Sequence, residues 1–178
     1  SRFARGMFHD AIVQKVADGG GIGIAEMIIS QVTRATACSA YQQHLAPGGP
    51  AWPIQGGDIG AICSGFGLRS DPFTGEQRMH KGIDIDAPSG TSVFPVLEGE
   101  VIFAGSRGGY GKLVIVEHED GLQTRYGHLS DIDVAEGDWV DGSGALGAVG
   151  STGRSTGPHL HLEVRRDGVA LDPVEALR

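Results

Sequence analysis

Several things are scarce in this chain, and each scarcity excludes something. No apolar run approaches the roughly 18 residues that a spanning helix requires, so no membrane span is expected. Basic residues are few: 14 Lys and Arg stand against 22 Asp and Glu, a formal net charge of -8. Phosphate backbones are bound by basic faces, so nucleic acid is excluded as the main partner. Cysteine is limited to Cys38 and Cys63. These can form one disulfide in an oxidising compartment or stay as two buried thiols, and spacing leaves both open. The chain opens at Ser1 with neither an initiator Met nor a signal-peptide pattern, which has the look of a trimmed product.

Glycine, by contrast, is abundant: 30 of 178 residues, where about 12 would be ordinary. No Gly-X-Y period accompanies it, so collagen is excluded. Hydrophobic residues make up 40% of the chain and continue to its end, which argues against a wholly disordered chain. A turn-rich globular protein remains, of a length that suits one domain plus an appendage.

Three stretches differ in pattern. Residues 1–35 read as two short helices around a glycine hinge at Gly19, Gly20, Gly21 and Gly23. Ile24, Ala25, Ile28, Ile29 and Val32 form the apolar stripe of the second. Residues 36–50 begin a Pro- and Gly-rich linker composition that fades by Asp58, with Trp52 and Ile54 as its anchored residues. Residues 51–178 are expected to form a mainly β, antiparallel domain with Gly-rich loops. Its strand candidates are Ser92–Pro95, Gly99–Ala104, Leu113–His118, Gln123–His128 and Leu160–Arg165, with Asp120-Gly121 and Asp167-Gly168 as turns. A short helical pattern appears only at Val174–Leu177.

Four of the seven histidines fall in three short motifs: His80-Lys81-Gly82-Ile83-Asp84-Ile85-Asp86, Tyr126-Gly127-His128-Leu129, and His159-Leu160-His161-Leu162-Glu163. An HxH pair on a strand places both imidazoles on one face and Leu160 and Leu162 in the core. Such a pair beside an Asp from elsewhere suits zinc. Asp84 and Asp86 share a face of the strand starting near Ile83, and spacing does not choose between them. His9, His44 and His118 are expected at the surface or in turns. Glu163 lies on the same strand face as His161; support of that ring is one reading, and a solvated surface position is the expected one. The run Gly150-Ser151-Thr152-Gly153-Arg154-Ser155-Thr156-Gly157 imitates a phosphate loop but lacks its Lys. Pro158 and a strand follow it in place of a helix, so no nucleotide site is expected.

The run from Trp52 to Pro173 closely resembles the LytM/lysostaphin-type zinc metallopeptidases, which cut peptide bonds in bacterial cell walls. The motifs that carry the resemblance are WPIQG (52–56), SGFGLR (64–69), DPFTGE (71–76), HKGIDIDAPSGT (80–91), GYGKLVIVEH (109–118), TRYGHL (124–129) and GSTGRSTGPHLHLEV (150–164). The resemblance implies that His80, Asp84 and His161 bind zinc, and that His128 and His159 are catalytic without binding it. It thereby selects Asp84 over Asp86. Members that serve only as scaffolds usually lack some of these five residues, and all five are present here.

Two His and one Asp leave a fourth tetrahedral position for water, as in catalytic zinc sites. Bound zinc can bring that water's pKa down to about 7. No HExxH glutamate is available, so proton transfer falls to His128 and His159. The glycines of 108–111 and 150–157 are expected to wall a narrow groove for an extended peptide.

A smaller stretch, from Met7 to Met27, resembles the end of the rod-binding domain of flagellar rod-assembly proteins. The implied protein is a periplasmic or secreted peptidoglycan endopeptidase that opens the wall for the flagellar rod, with flagellar rod proteins as partners. Two rivals are a wall-binding scaffold that activates other hydrolases and a secreted lytic endopeptidase aimed at competitors.

Overall fold

The computed structural model describes residues 52–54, 61–71 and 74–177. The two expected helices, the linker before Trp52, the flagellar-like segment, His9, His44 and Cys38 lie outside the described residues.

The described chain is almost wholly β. Its strands are β1 (Ile62–Ser64), β2 (Gly67–Ser70), β3 (Gln77–His80), β4 (Ile83–Asp86), β5 (Ser92–Val93) and β6 (Gly99–Ser106). They continue as β7 (Lys112–Glu117), β8 (Leu122–Ile132), β9 (Trp139–Val140), β10 (Gly147–Val149), β11 (His159–Arg166) and β12 (Val169–Leu171). Ten of these strands form one sheet, with the path β1-β4-β11-β8-β7-β6-β9 and the remaining three branching from it. β2 and β3 pair separately as a two-stranded ribbon. Every described pairing is antiparallel. One short helix, α1 (Pro173–Ala176), closes the described part; the Asp172 side chain caps it by accepting from Val174 N–H, and Pro173 supplies a preset φ at its start.

All five expected strand segments are present, β6, β8 and β11 longer than expected and β5 cut to Ser92–Val93. The shorter strands escaped because segments of two to four residues show too little alternation to read. The period-two expectation for HxH is met: Leu160, Leu162 and Val164 are buried in the core, while His159, His161 and Glu163 point to the other face. Ile83 and Ile85 of β4 join that core and leave Asp84 and Asp86 on the face of the histidines. Ile54 is buried against the core and bridges to Val93, and Trp52 packs beside it, so both anchors hold.

His118 is not a surface residue. It is buried, with Nδ1 2.7 Å from the Glu98 carbonyl and Nε2 2.7 Å from Thr124 Oγ1. Thr124 in turn donates to the Tyr126 hydroxyl at 2.9 Å, which also accepts from Val96 N–H. Burial pushes the His118 imidazole below its usual value, against the opposing pull of the Glu98 carbonyl. A depressed folded-state value means that the unfolded chain takes the proton first. The His118 contribution is therefore present above about pH 6.5 and lost as the pH falls below it. His118→Gln is expected to lose less stability than wild type between pH 7.5 and 5.5 in urea unfolding; parallel losses would refute this.

Candidate metal centre

Four strands bring one carboxylate and four imidazoles together. β4 and β11 are neighbours, and their register sets Asp84 directly opposite His161 and Asp86 opposite His159. β3 ends at His80, and the chain turns through Lys81 and Gly82 into β4. Gly82 passes so close to β11 that an added Cβ would lie 2.2 Å from the Leu162 carbonyl oxygen, so only glycine lets the turn press His80 down onto Asp84. β8 supplies His128 from the far side of β11, where register irregularities against β7 and β10 surround the residue. His128 itself has φ +62°, a left-handed conformation that costs a non-glycine residue about 1–3 kcal/mol and is tolerated where it aims a side chain.

The donor atoms converge. Asp84 Oδ1 lies 2.7 Å from His161 Nδ1 and 3.1 Å from His80 Nε2, and those two ring nitrogens are 3.2 Å apart. Ligands at 2.0–2.1 Å from a tetrahedral ion are separated by roughly 3.3 Å, so this buried group has the dimensions of three corners of a metal site. The rival Asp86 is exposed.

Each imidazole is held from behind by an oxygen. His80 Nδ1 sits 2.7 Å from the Gly65 carbonyl, His128 Nδ1 2.8 Å from the Thr152 carbonyl, and His159 Nδ1 2.8 Å from the Gly157 carbonyl. Such partners place the proton on the anchored nitrogen and leave Nε2 of each ring as the acceptor. In His161 the order is reversed: Nε2 is anchored to Glu163 at 3.1 Å and Nδ1 faces Asp84. The His128 and His159 rings pack edge to face, 4.8 Å between centroids, and His159 Nε2 lies 3.8 Å from Asp84 Oδ1.

Burial alone would raise the Asp84 carboxyl, but hydrogen bonds from His161 and His80 outweigh it and hold the group well below the usual carboxylate range. Burial works against protonation of His161, yet its bonds to Asp84 and Glu163 bring it up to about 8. For His128 burial prevails over the Thr152 carbonyl and pushes the ring down to about 4, so it is neutral at neutral pH. The five residues line a single cleft of about 400 Å³ with Tyr110 and Arg154.

The model of "Peptidase family M23" matches residues 78–173. The chain belongs to peptidase family M23. A curated relative, the "DD-carboxypeptidase/endopeptidase Mpg" of Neisseria meningitidis serogroup B, is 49% identical over 113 residues, 64% of this chain and 26% of its own length. The chain thus spans about a quarter of that relative. Among solved structures, a zinc-containing peptidase from Vibrio cholerae superposes with a TM-score of 0.63 at 34% identity, covering 71% of this chain and 39% of its own. The catalytic domain of the antimicrobial peptidase lysostaphin from Staphylococcus simulans gives 0.58 at 34% identity, covering 64% and 88%.

In this M23 chain the structure sets Glu163 behind His161 and Arg69 behind Asp84. Glu163 is buried, not solvated: 1% of it is exposed. Besides holding His161, it accepts from Tyr110 Oη at 2.8 Å and from Arg165 Nε at 2.7 Å. Those bonds to His161 and Arg165 overcome the effect of burial and bring its carboxyl down to about 2. Arg69 occupies the second oxygen of Asp84, with Nη2 3.1 Å from Oδ2, and also donates to Ser64 Oγ. The alternation of HLHLEVR marks Glu163, and by the same rule Arg165, as sharing the face of His161, but nothing local says that Tyr110 covers them.

The glycine-walled groove holds only in part. Gly109 lines the cleft. Gly153, at φ +70°, interlocks two loops instead: a Cβ there would lie 2.3 Å from Gly111 N and 2.6 Å from the Gly109 carbonyl oxygen. Gly157 has open space around it. Cys63 is half-buried with Sγ 3.4 Å from the Asp84 carbonyl oxygen, and burial, reinforced by Asp86, pushes its thiol up to about 12.

Proposed function

We propose that this M23 chain is a zinc metalloendopeptidase that hydrolyses peptide bonds of bacterial peptidoglycan, working in the cell envelope from a domain spanning 51–178. The observation that carries the reading is the convergence of Asp84 Oδ1, His80 Nε2 and His161 Nδ1 in a cleft that two further, differently anchored histidines share. His80, Asp84 and His161 hold the metal, and His128 and His159 act on the substrate. Bound zinc supplies Lewis acidity, polarising the scissile carbonyl and lowering the pKa of water.

The chain's own groups do the rest. Asp84 offers Oδ1 as a fixed anion while Arg69 ties down its other oxygen. Neutral His128 presents Nε2 as a hydrogen-bond acceptor for the attacking water's proton, its Nδ1 proton committed to Thr152. His159 Nε2 stands on the same side, able to receive that proton or pass it to the leaving amine. The intact set of five speaks against a scaffold that recruits hydrolases without cutting. Use in opening the wall for the flagellar rod, with flagellar rod proteins as partners, rests on the resemblance of residues 7–27.

Digestion of purified cell walls, with products read by mass spectrometry, tests the reading. The zinc-loaded chain is expected to release cleaved peptides, and a chelator is expected to abolish the release. A zinc-loaded chain that releases none, both whole and cut back to 51–178, sinks it.

A further inference from the structure

Among the described residues, the lining of the cleft is opposite in sign to the chain as a whole. The protein carries a formal net charge of -8. Yet the described residues lining the cleft include four cations, Arg69, Arg78, Lys81 and Arg154, against two carboxylates, Asp71 and Asp84. Arg69 is engaged with Asp84 beside the metal centre. Of the other three, Arg78 and Arg154 bond to Asp71, which is buried to 7% exposure.

Asp71 accepts from Arg154 Nη2 at 2.7 and 2.9 Å and from Arg78 Nη1 at 3.4 Å. One buried carboxylate thus holds two guanidinium cations next to each other. Lys81, exposed, adds a third. The side chains of Arg78 and Arg154 are 64% and 41% exposed, so both guanidinium groups reach the cleft and solvent. The Arg154–Asp71 pair also joins the 150–157 loop to the β2–β3 ribbon, 83 positions away in sequence, which sets the spacing of the cations in advance. Pre-oriented guanidinium forks match carboxylates, and a cationic cleft in an acidic protein concentrates anionic ligands.

We propose that Arg78, Lys81 and Arg154 form a carboxylate-binding subsite of the cleft, selecting peptides that carry free carboxylates. The inference rests on the peptidoglycan-peptidase reading and narrows it. A stem peptide with free carboxylates engages the subsite, whereas an uncharged glycine bridge brings no charge to it.

The test uses an uncross-linked stem tripeptide with free carboxylates and its fully amidated twin, titrated into the zinc-loaded chain and followed by NMR. The free acid is expected to bind about tenfold more tightly at about 50 mM salt, with the gap closing at about 500 mM. Arg78→Gln combined with Lys81→Gln, both at exposed positions, is expected to erase the preference. Equal binding of the two peptides to the wild-type chain overturns the subsite, as does a double variant that keeps the full preference. Failure of the zinc-loaded chain to cleave a cross-linked dimer overturns the peptidase reading alone, because binding decides the subsite independently.

Discussion

Replacing His80 or Asp84 by Ala is expected to strip the protein of zinc and of turnover together, whereas His128→Ala is expected to keep the zinc and lose turnover only. The contrast follows from where the donor atoms point. His80 Nε2 and Asp84 Oδ1 lie 3.1 Å apart and both face His161 Nδ1, so each is one of three corners, and two remaining donors hold zinc poorly. His128 is anchored through the Thr152 carbonyl and stands against His159, outside that group of three. Its removal deletes a proton acceptor, an effect of about 10²–10⁴-fold on turnover, and leaves all three donors in place. Metal analysis of the purified variants, beside release of cleaved peptides from cell walls, checks both halves. A zinc-free His128→Ala protein that remains folded would contradict the division of roles.

Glu163→Gln is expected to weaken zinc binding by about 10–100-fold, although Glu163 touches no position that the metal would occupy. Its Oε1 faces the His161 ring and the Tyr110 hydroxyl, and its Oε2 faces Arg165 Nε. All three partners can donate, so a carboxylate satisfies them and an amide does not: its NH₂ group must confront a donor on one side or the other. The His161 ring then loses either its anchor or the negative charge that makes Nδ1 a better donor to metal. Competition against a chromophoric chelator reads the affinity directly, without reference to turnover. An unchanged affinity would reduce Glu163 to a packing residue.

The contrast between Glu163 and its neighbours shows how far local pattern reaches. Leu160 and Leu162 were legible as core and His159 and His161 as one face, because strand alternation is a property of the backbone itself. Glu163 shares that face by the same rule, but whether the face is wet at that point depends on Tyr110, 53 positions earlier in the chain. His118 failed for the same reason: its burial comes from the Glu98 carbonyl, 20 residues away, and from Thr124 across the β7–β8 pair. Gly153 reads from sequence as part of a groove wall, and its interlocking of two loops is not legible there, because the atoms that exclude a side chain belong to Gly109 and Gly111.

Composition and local pattern bound the chemistry available: a β domain of short alternating runs, an acidic charge balance, and the small set of imidazoles and carboxylates from which a metal site could be drawn. The resemblance of its motifs then narrowed that set to five. Tertiary structure supplied the physical reasons. Asp84 and Asp86 are equivalent by spacing; the resemblance selects Asp84, and the fold makes the two different by bringing His80 and His161 to that carboxylate with Arg69 behind it. Likewise Asp71, Arg78 and Arg154 are unremarkable charges along the chain, and only folding gathers them into one wall of the cleft. Alternation is local and can be read from neighbours; burial and convergence are set by residues far apart in sequence, and for those the fold is the only record.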